Sequence, residues 1–125
     1  MWTYTAYILG KYCEKNPEKY NELPFIEFAK FVFDVLWRKN NLIFHDGIKD
    51  LFEDFKYLQK LGIVELHEED EKIEKAKVKI KDKEKLAQIL RVVEDSGNLT
   101  GVKLFDVYAR RINSAIETIS VAPSS

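Results

Sequence analysis

Cysteine is nearly absent from this chain: Cys13 is the only one in 125 residues. A disulfide framework within the chain is therefore excluded, and a reducing, cytoplasmic setting is expected. Cys13 itself reads as a small buried residue on a helix rather than a reactive thiol. Long apolar runs are missing too. The most apolar stretch, Phe25 to Trp37, is interrupted by Glu27, Lys30 and Asp34. It is too short and too charged to cross a bilayer, so no membrane partner is expected. No basic start leads into a short apolar run, and no signal peptide is expected. Charge of one sign is also lacking, since 20 Lys and Arg stand against 21 Asp and Glu for a formal net charge of -1.

The usual signatures of catalysis are absent as well. There is no glycine-rich phosphate loop, no Gly-x-Ser-x-Gly elbow and no zinc-protease helix motif. His45 and His67 are far apart, and neither has a Cys or His at metal-ligand spacing. His45, next to Asp46, reads as a helix-start residue. Ser96, Ser114 and Ser120 have no neighbouring His. A triad assembled only by folding leaves no such trace. The expectation is a protein without catalytic residues, cofactor or metal. There is no internal repeat and no low-complexity segment.

What is present suits one domain with one core: 46% hydrophobic and 13% aromatic residues. Charged residues make up 33%, mostly Lys and Glu, and the loops are short, a style seen in thermophile proteins. Helical spacing predicts a first helix over Trp2–Lys15, with Trp2, Ala6, Leu9 and Cys13 on one stripe. Asn16-Pro17 ends it, and residues 15–22 read as a polar linker. Pro24 is the expected first residue of a second helix reaching Lys39. That helix is apolar on nearly every side, so it is either central to the core or partly covered by a second subunit. Leu42-Ile43-Phe44 reads as a one-pair strand. A third helix is predicted over Asp46–Leu61, with Asp46 as N-cap, a core stripe through Leu51, Phe55 and Leu58, and Gly62 as its left-handed stop.

A hairpin follows, with Ile63–Leu66 outgoing, an acidic tip at His67–Lys72 and a return strand at Lys75–Lys81. In the return strand Ala76, Val78 and Ile80 share one face and Lys75, Lys77, Lys79 and Lys81 the other. Asp82 is the expected cap of a fourth helix to about Glu94, Asp95-Ser96-Gly97-Asn98 a turn, and Leu99–Ile119 a fifth helix. Residues 121–125 are expected to be a loose tail. The fold class is mainly α with a small β-hairpin: a core over 1–81 and a helical extension over 82–125 packed on it, effectively one domain.

The helix ending Tyr57-Leu58-Gln59-Lys60-Leu61-Gly62, the strand Ile63-Val64-Glu65-Leu66 and the return strand Ala76-Lys77-Val78-Lys79-Ile80 resemble a winged helix-turn-helix module. The likeness covers at most Trp2 to Lys81. Two features depart from it: the 40–45 connection is longer than the usual turn of the motif, and the second helix is long and apolar. Another mapping makes Pro24–Lys39 the first helix and Leu42–Phe44 the first strand. The resemblance implies that the third helix enters the major groove of double-stranded DNA and that the hairpin tip touches the backbone or minor groove. Lys49, Asp50, Glu53, Lys56, Tyr57 and Lys60 are then its exposed residues.

Charge complicates that implication. Residues 1–44 carry a net +1, residues 45–74 a net -6 and residues 75–125 a net +4. The expected reading head is the most acidic part of the chain, which opposes ordinary phosphate binding. The candidate nucleic-acid contacts are Lys56, Lys60, Lys75, Lys77, Lys79, Arg110 and Arg111. The lysine row reads equally as an edge strand guarded against pairing, and Arg110-Arg111 as a solvated helix face. Two function classes follow. One is a homodimeric DNA-binding transcriptional regulator. The other is a protein-interaction module whose acidic face, through Asp50, Glu53, Asp54, Glu68, Glu69 and Asp70, docks a basic partner. Dimer surfaces are expected on the outer face of the second helix or on the last helix through Leu104, Tyr108 and Ala115.

Overall fold

The computed structural model describes residues 2–68, 72–100 and 103–120, with side chains at 2–68, 72–95 and 107–119. The described residues form five α-helices and one three-stranded antiparallel sheet. In chain order they are α1 (Trp2–Lys15), a 3-10 turn (Pro17–Tyr20), β1 (Leu23–Pro24) and α2 (Phe25–Lys30), which continues as a π-helix over Phe31–Lys39. Then come α3 (Ile48–Lys60), β2 (Val64–His67), a 3-10 turn (Ile73–Lys75), β3 (Lys77–Ile80), α4 (Lys83–Thr100) and α5 (Lys103–Ser120). The fold is mainly α with a small sheet, as the sequence pattern implies.

α1 occupies the centre, a place that is one of the two readings open for the second helix. Tyr4 through Gly10 are all buried, and α3, α4 and α5 all pack on this helix. Small side chains explain the difference. Ala6, Gly10 and Cys13 let neighbouring helices close in from several sides. A Cβ added at Gly10 would lie 2.3 Å from Leu90 Cδ1 of α4, so any larger residue there would have to displace the buried Leu90 side chain. The second helix is instead peripheral on one side. Phe28, Ala29, Phe31, Val32 and Leu36 are buried, whereas Phe33, Val35 and Trp37 are only half-buried.

The sheet has one more strand than the hairpin pattern predicts. Leu23 and Pro24 pair with Val78 and Lys77, and Phe25 N donates to Ala76 O at 2.9 Å. Two residues are too few to show alternation, so this strand reads as linker in the sequence. Leu23, preceding a proline, is biased to extended backbone, and Pro24 tolerates an outer strand because it lacks an N–H to pair. The resulting order, β1-β3-β2, makes β3 the central strand. Its lysines therefore stud one face of a sheet and do not guard an edge.

Helix ends follow capping chemistry, with three corrections. Gly47, not Asp46, is the N-cap of α3, and the Asp46 amide instead donates to the Asp50 carboxylate at 3.0 Å. Residues 42–44 form no strand, because Leu42 N donates back to Leu36 O at the end of the second helix. The expected turn at 95–98 is helical. One glycine in a helix interior costs only about 1 kcal/mol, which the preceding turns of α4 outweigh. Two expectations hold. Asp82 Oδ1 accepts from Lys85 N at 2.9 Å as an N-cap. Gly62 sits at φ 78, with Gly62 N to Gln59 O and Ile63 N to Leu58 O both at 3.0 Å, the pair of bonds that closes a Schellman helix end.

α4 and α5 pack on α1 and on each other. Tyr7 fastens all three, since its hydroxyl donates to Glu94 Oε2 and accepts from Asn113 Nδ2, both at 2.9 Å. Ala115 is 1% exposed, and Tyr108 packs edge-on against Tyr4 and Phe44. Ala115 therefore belongs to the core, whereas Tyr108 is half-buried at its border. The Leu104 side chain and residues 121–125 lie outside the described residues.

Candidate functional site

α3 presents the sheet side of its surface to the hairpin and an exposed stripe to solvent. Leu51, Phe52, Phe55 and Leu58 face the core. Lys49, Glu53, Lys56 and Lys60 lie at helical spacing on one exposed stripe. Lys56 Nζ is 3.6 Å from Glu53 Oε1 and 5.3 Å from the Phe52 ring centroid. Gln59 Oε1 accepts from Leu66 N at 2.8 Å and ties β2 to the helix. Lys49, Phe52, Glu53, Lys56, Glu68 and Ile73 line a groove of about 430 Å³ between α3 and the hairpin. Two cations face two anions there, so the groove has no strong bias towards phosphate or towards a basic peptide.

The sheet supplies a second basic row. Lys77 and Lys79 are exposed on its outer face, while Val78 and Ile80 are buried beneath it. Glu65 stands opposite Lys79 and His67 opposite Lys77. Lys77 Nζ also lies 3.9 Å from Glu22 Oε1. Lys75 is exposed just before the strand. Arg110 and Arg111 are exposed on α5, and the Arg111 guanidinium donates to the Asn40 carbonyl. That bond pins the end of the second helix to α5. The structure thus brings Lys77 and Lys79 onto one face and Lys49, Lys56 and Lys60 onto another, and it places Arg111 on a different helix pairing.

Of the expected acidic contacts, Asp50, Glu53 and Glu68 are exposed, and Glu69 and Asp70 lie outside the described residues. Asp54 requires correction, because it points inward and is 9% exposed. Its Oδ2 accepts from Thr5 Oγ1 at 2.7 Å and lies 2.8 Å from His45 Nε2, which is itself 2.8 Å from Thr5 Oγ1. Thr5 is 0% exposed and His45 3%. As a carboxylate, Asp54 only accepts hydrogen bonds, so the imidazole proton sits on Nε2. His45 Nδ1 is then left buried with no hydrogen-bond partner.

The cluster joins α1, the 41–47 connection and α3. With Thr5 fully enclosed, a substrate does not reach its hydroxyl, and the three side chains act as an internal clasp. His45 is accordingly not a simple helix-start residue. Sequence reading missed the clasp, although one signal was available. Asp54 lies three residues after Leu51 and four before Leu58, on the flank of an apolar stripe where a carboxylate needs a partner.

Cys13 behaves as the sequence suggests. It is fully buried, and burial, reinforced by Glu18 and Glu27, pushes its thiol up to about 12. No group of three or more His, Cys, Asp or Glu suited to hold a metal occurs among the described residues. No helix among them is long and apolar enough to cross a membrane.

No protein-family model matches this chain, and neither a curated protein nor a solved structure matches it.

Proposed function

We propose that this chain is a winged-helix-like DNA-binding protein that acts as a transcriptional regulator. The observation that carries the reading is topological. A helix, a short strand, two helices and a hairpin follow in order, with the first strand pairing to the last to give β1-β3-β2. This is the arrangement expected of a winged helix-turn-helix module, in which α3 is the reading helix and β2–β3 the wing. The Lys49, Lys56 and Lys60 stripe supports phosphate contact by α3, and Lys77 with Lys79 supports a second contact on the sheet. The intervening Glu53, Glu65 and Glu68 keep affinity modest, and the lysine–phosphate contacts make it dependent on salt.

Fluorescence anisotropy with mixed-sequence duplex DNA tests this. Binding at low salt should fall steeply at moderate salt. The double variants K56E/K60E and K77E/K79E should each weaken binding, and each lost phosphate contact lowers the salt slope by about 0.9. Absence of binding at low salt would overturn the DNA reading.

A second reading uses the same scaffold as a protein-interaction module. The exposed carboxylates of Asp50, Glu53 and Glu68 on and beside the α3–hairpin groove support a basic partner. Binding would then persist after nuclease treatment and weaken with salt. D50K/E53K would abolish it, whereas the same change would strengthen any contact with DNA.

A further inference from the structure

We infer that the outer face of the second helix is a two-fold interface with a second copy of this chain. The inference is independent of what α3 binds. Phe33 and Trp37 lie on the π-helical segment with ring centroids 5.9 Å apart and remain half-buried. Beside them Ile48, the first residue of α3, is 37% exposed. With Arg38, Asp46 and Gly47 these three apolar residues line a groove of about 380 Å³. A π-helical stretch is rare and occurs preferentially at functional positions. Here it sets Phe33 and Trp37, four residues apart, side by side at the surface.

The rim of this groove identifies its occupant. It carries one cation, Arg38 of the second helix, and one anion, Asp46 of the connection before α3. Arg38 is 80% exposed, and its contact to Asp34 within the helix is long, at 3.8 Å. Asp46 is exposed, and no described residue donates to its carboxylate. A patch of this kind is complementary to itself. In a two-fold arrangement residue i of one copy meets residue j of the other, and the reverse. Arg38 of each copy then faces Asp46 of the other, with Trp37 and Phe33 packed together at the centre. Central aromatic anchors with charges at the rim are the usual distribution of energy in such contacts. A basic or acidic partner would leave one of the two rim charges opposed.

The test is a charge exchange followed by sedimentation velocity on the full chain. Wild-type protein should show a concentration-dependent monomer–dimer equilibrium. R38D alone and D46R alone should each be monomeric, because each sets like charges opposite one another twice. Mixing the two variants should restore a dimer, since one chain then carries two acids and the other two bases at matching positions. W37S should be monomeric with an unchanged far-UV circular dichroism spectrum, a control that its fold is intact. A wild-type protein that is monomeric at every concentration would overturn the proposal. So would a dimer indifferent to both single exchanges, or a mixture that stays monomeric.

Discussion

A single carboxylate separates two neighbouring positions of opposite consequence. Glu53 is exposed, whereas Asp54 closes the clasp with Thr5 and His45. Asp54→Ala takes away the carboxylate that Thr5 and His45 share and leaves their two side chains with only each other, at 2.8 Å, in this cluster. Leaving buried donors without their acceptor costs about 1–3 kcal/mol. Glu53→Ala, on the exposed stripe, should change stability by no more than about 0.5 kcal/mol. Urea denaturation of both variants reads the difference, and equal midpoints would show that the clasp contributes nothing to stability. The sequence hid this cluster because its members are 40 and 49 residues apart from Thr5. Composition and spacing report local chemistry, whereas His45 and Asp54 acquire their roles only when α1 meets α3. Cys13 was legible because burial of a lone cysteine on an apolar helix stripe needs no distant partner.

At the scale of elements, what was legible is what repeats within one turn or one strand. The α1 range, the Gly62 stop, the Asp82 cap and the lysine alternation of β3 are all set by neighbours within a few positions. β1 was not legible because its two residues become a strand only when Val78 and Lys77 lie beside them. The length of α4 was misjudged for a related reason: turn-forming residues at 95–98 are overruled once a helix has been nucleated. Gly62 offers a clean test of local backbone control. It sits at φ 78, and a Cβ there would meet nothing within 4 Å. Gly62→Ala therefore has only the left-handed conformation to overcome, about 1–2 kcal/mol. Gly47, with extended backbone at φ -179 and equally open surroundings, has no left-handed conformation to overcome, and Gly47→Ala should cost only the poorer N-cap, about 0.5 kcal/mol. Thermal denaturation of the two variants should separate them. A destabilisation at Gly47 as large as at Gly62 would remove the conformational explanation.

For the whole molecule, the decisive fact is that the helices converge on α1 and fasten to it through protonated groups. Tyr7 joins α4 and α5. Tyr12 donates to Glu27 Oε2 at 2.6 Å and so joins α1 to α2. Burial raises both phenols above their ordinary value of 10.0. For Tyr12 the Glu27 carboxylate raises it further; for Tyr7 the Asn113 amide partly opposes the shift and Glu94 adds to it. Burial likewise raises the Cys13 thiol from 9.0 to about 12.

An acid whose folded value lies above its unfolded value binds its proton more tightly when folded. Its stabilisation is complete below the unfolded value and is lost as pH rises through the interval. For Cys13 that interval runs from 9.0 to about 12, and for the two tyrosines it begins at 10.0. Of these three groups, none should alter the denaturation midpoint between neutral pH and about 9; Cys13 should lower it above that, and the two tyrosines should add to the loss from about 10. Tyr12→Phe removes one titrating group and its bond to Glu27, so it should lower stability at neutral pH while making the alkaline limb shallower. A limb whose slope is the same in wild type and Tyr12→Phe would show that the loss in alkali arises elsewhere than at the α1 junctions. The same arrangement makes α1 the common support of the helices around it. The peripheral elements that carry Lys49, Lys56, Lys77 and Trp37 share one scaffold, and releasing α1 would separate α3 from α4 and α5 at once.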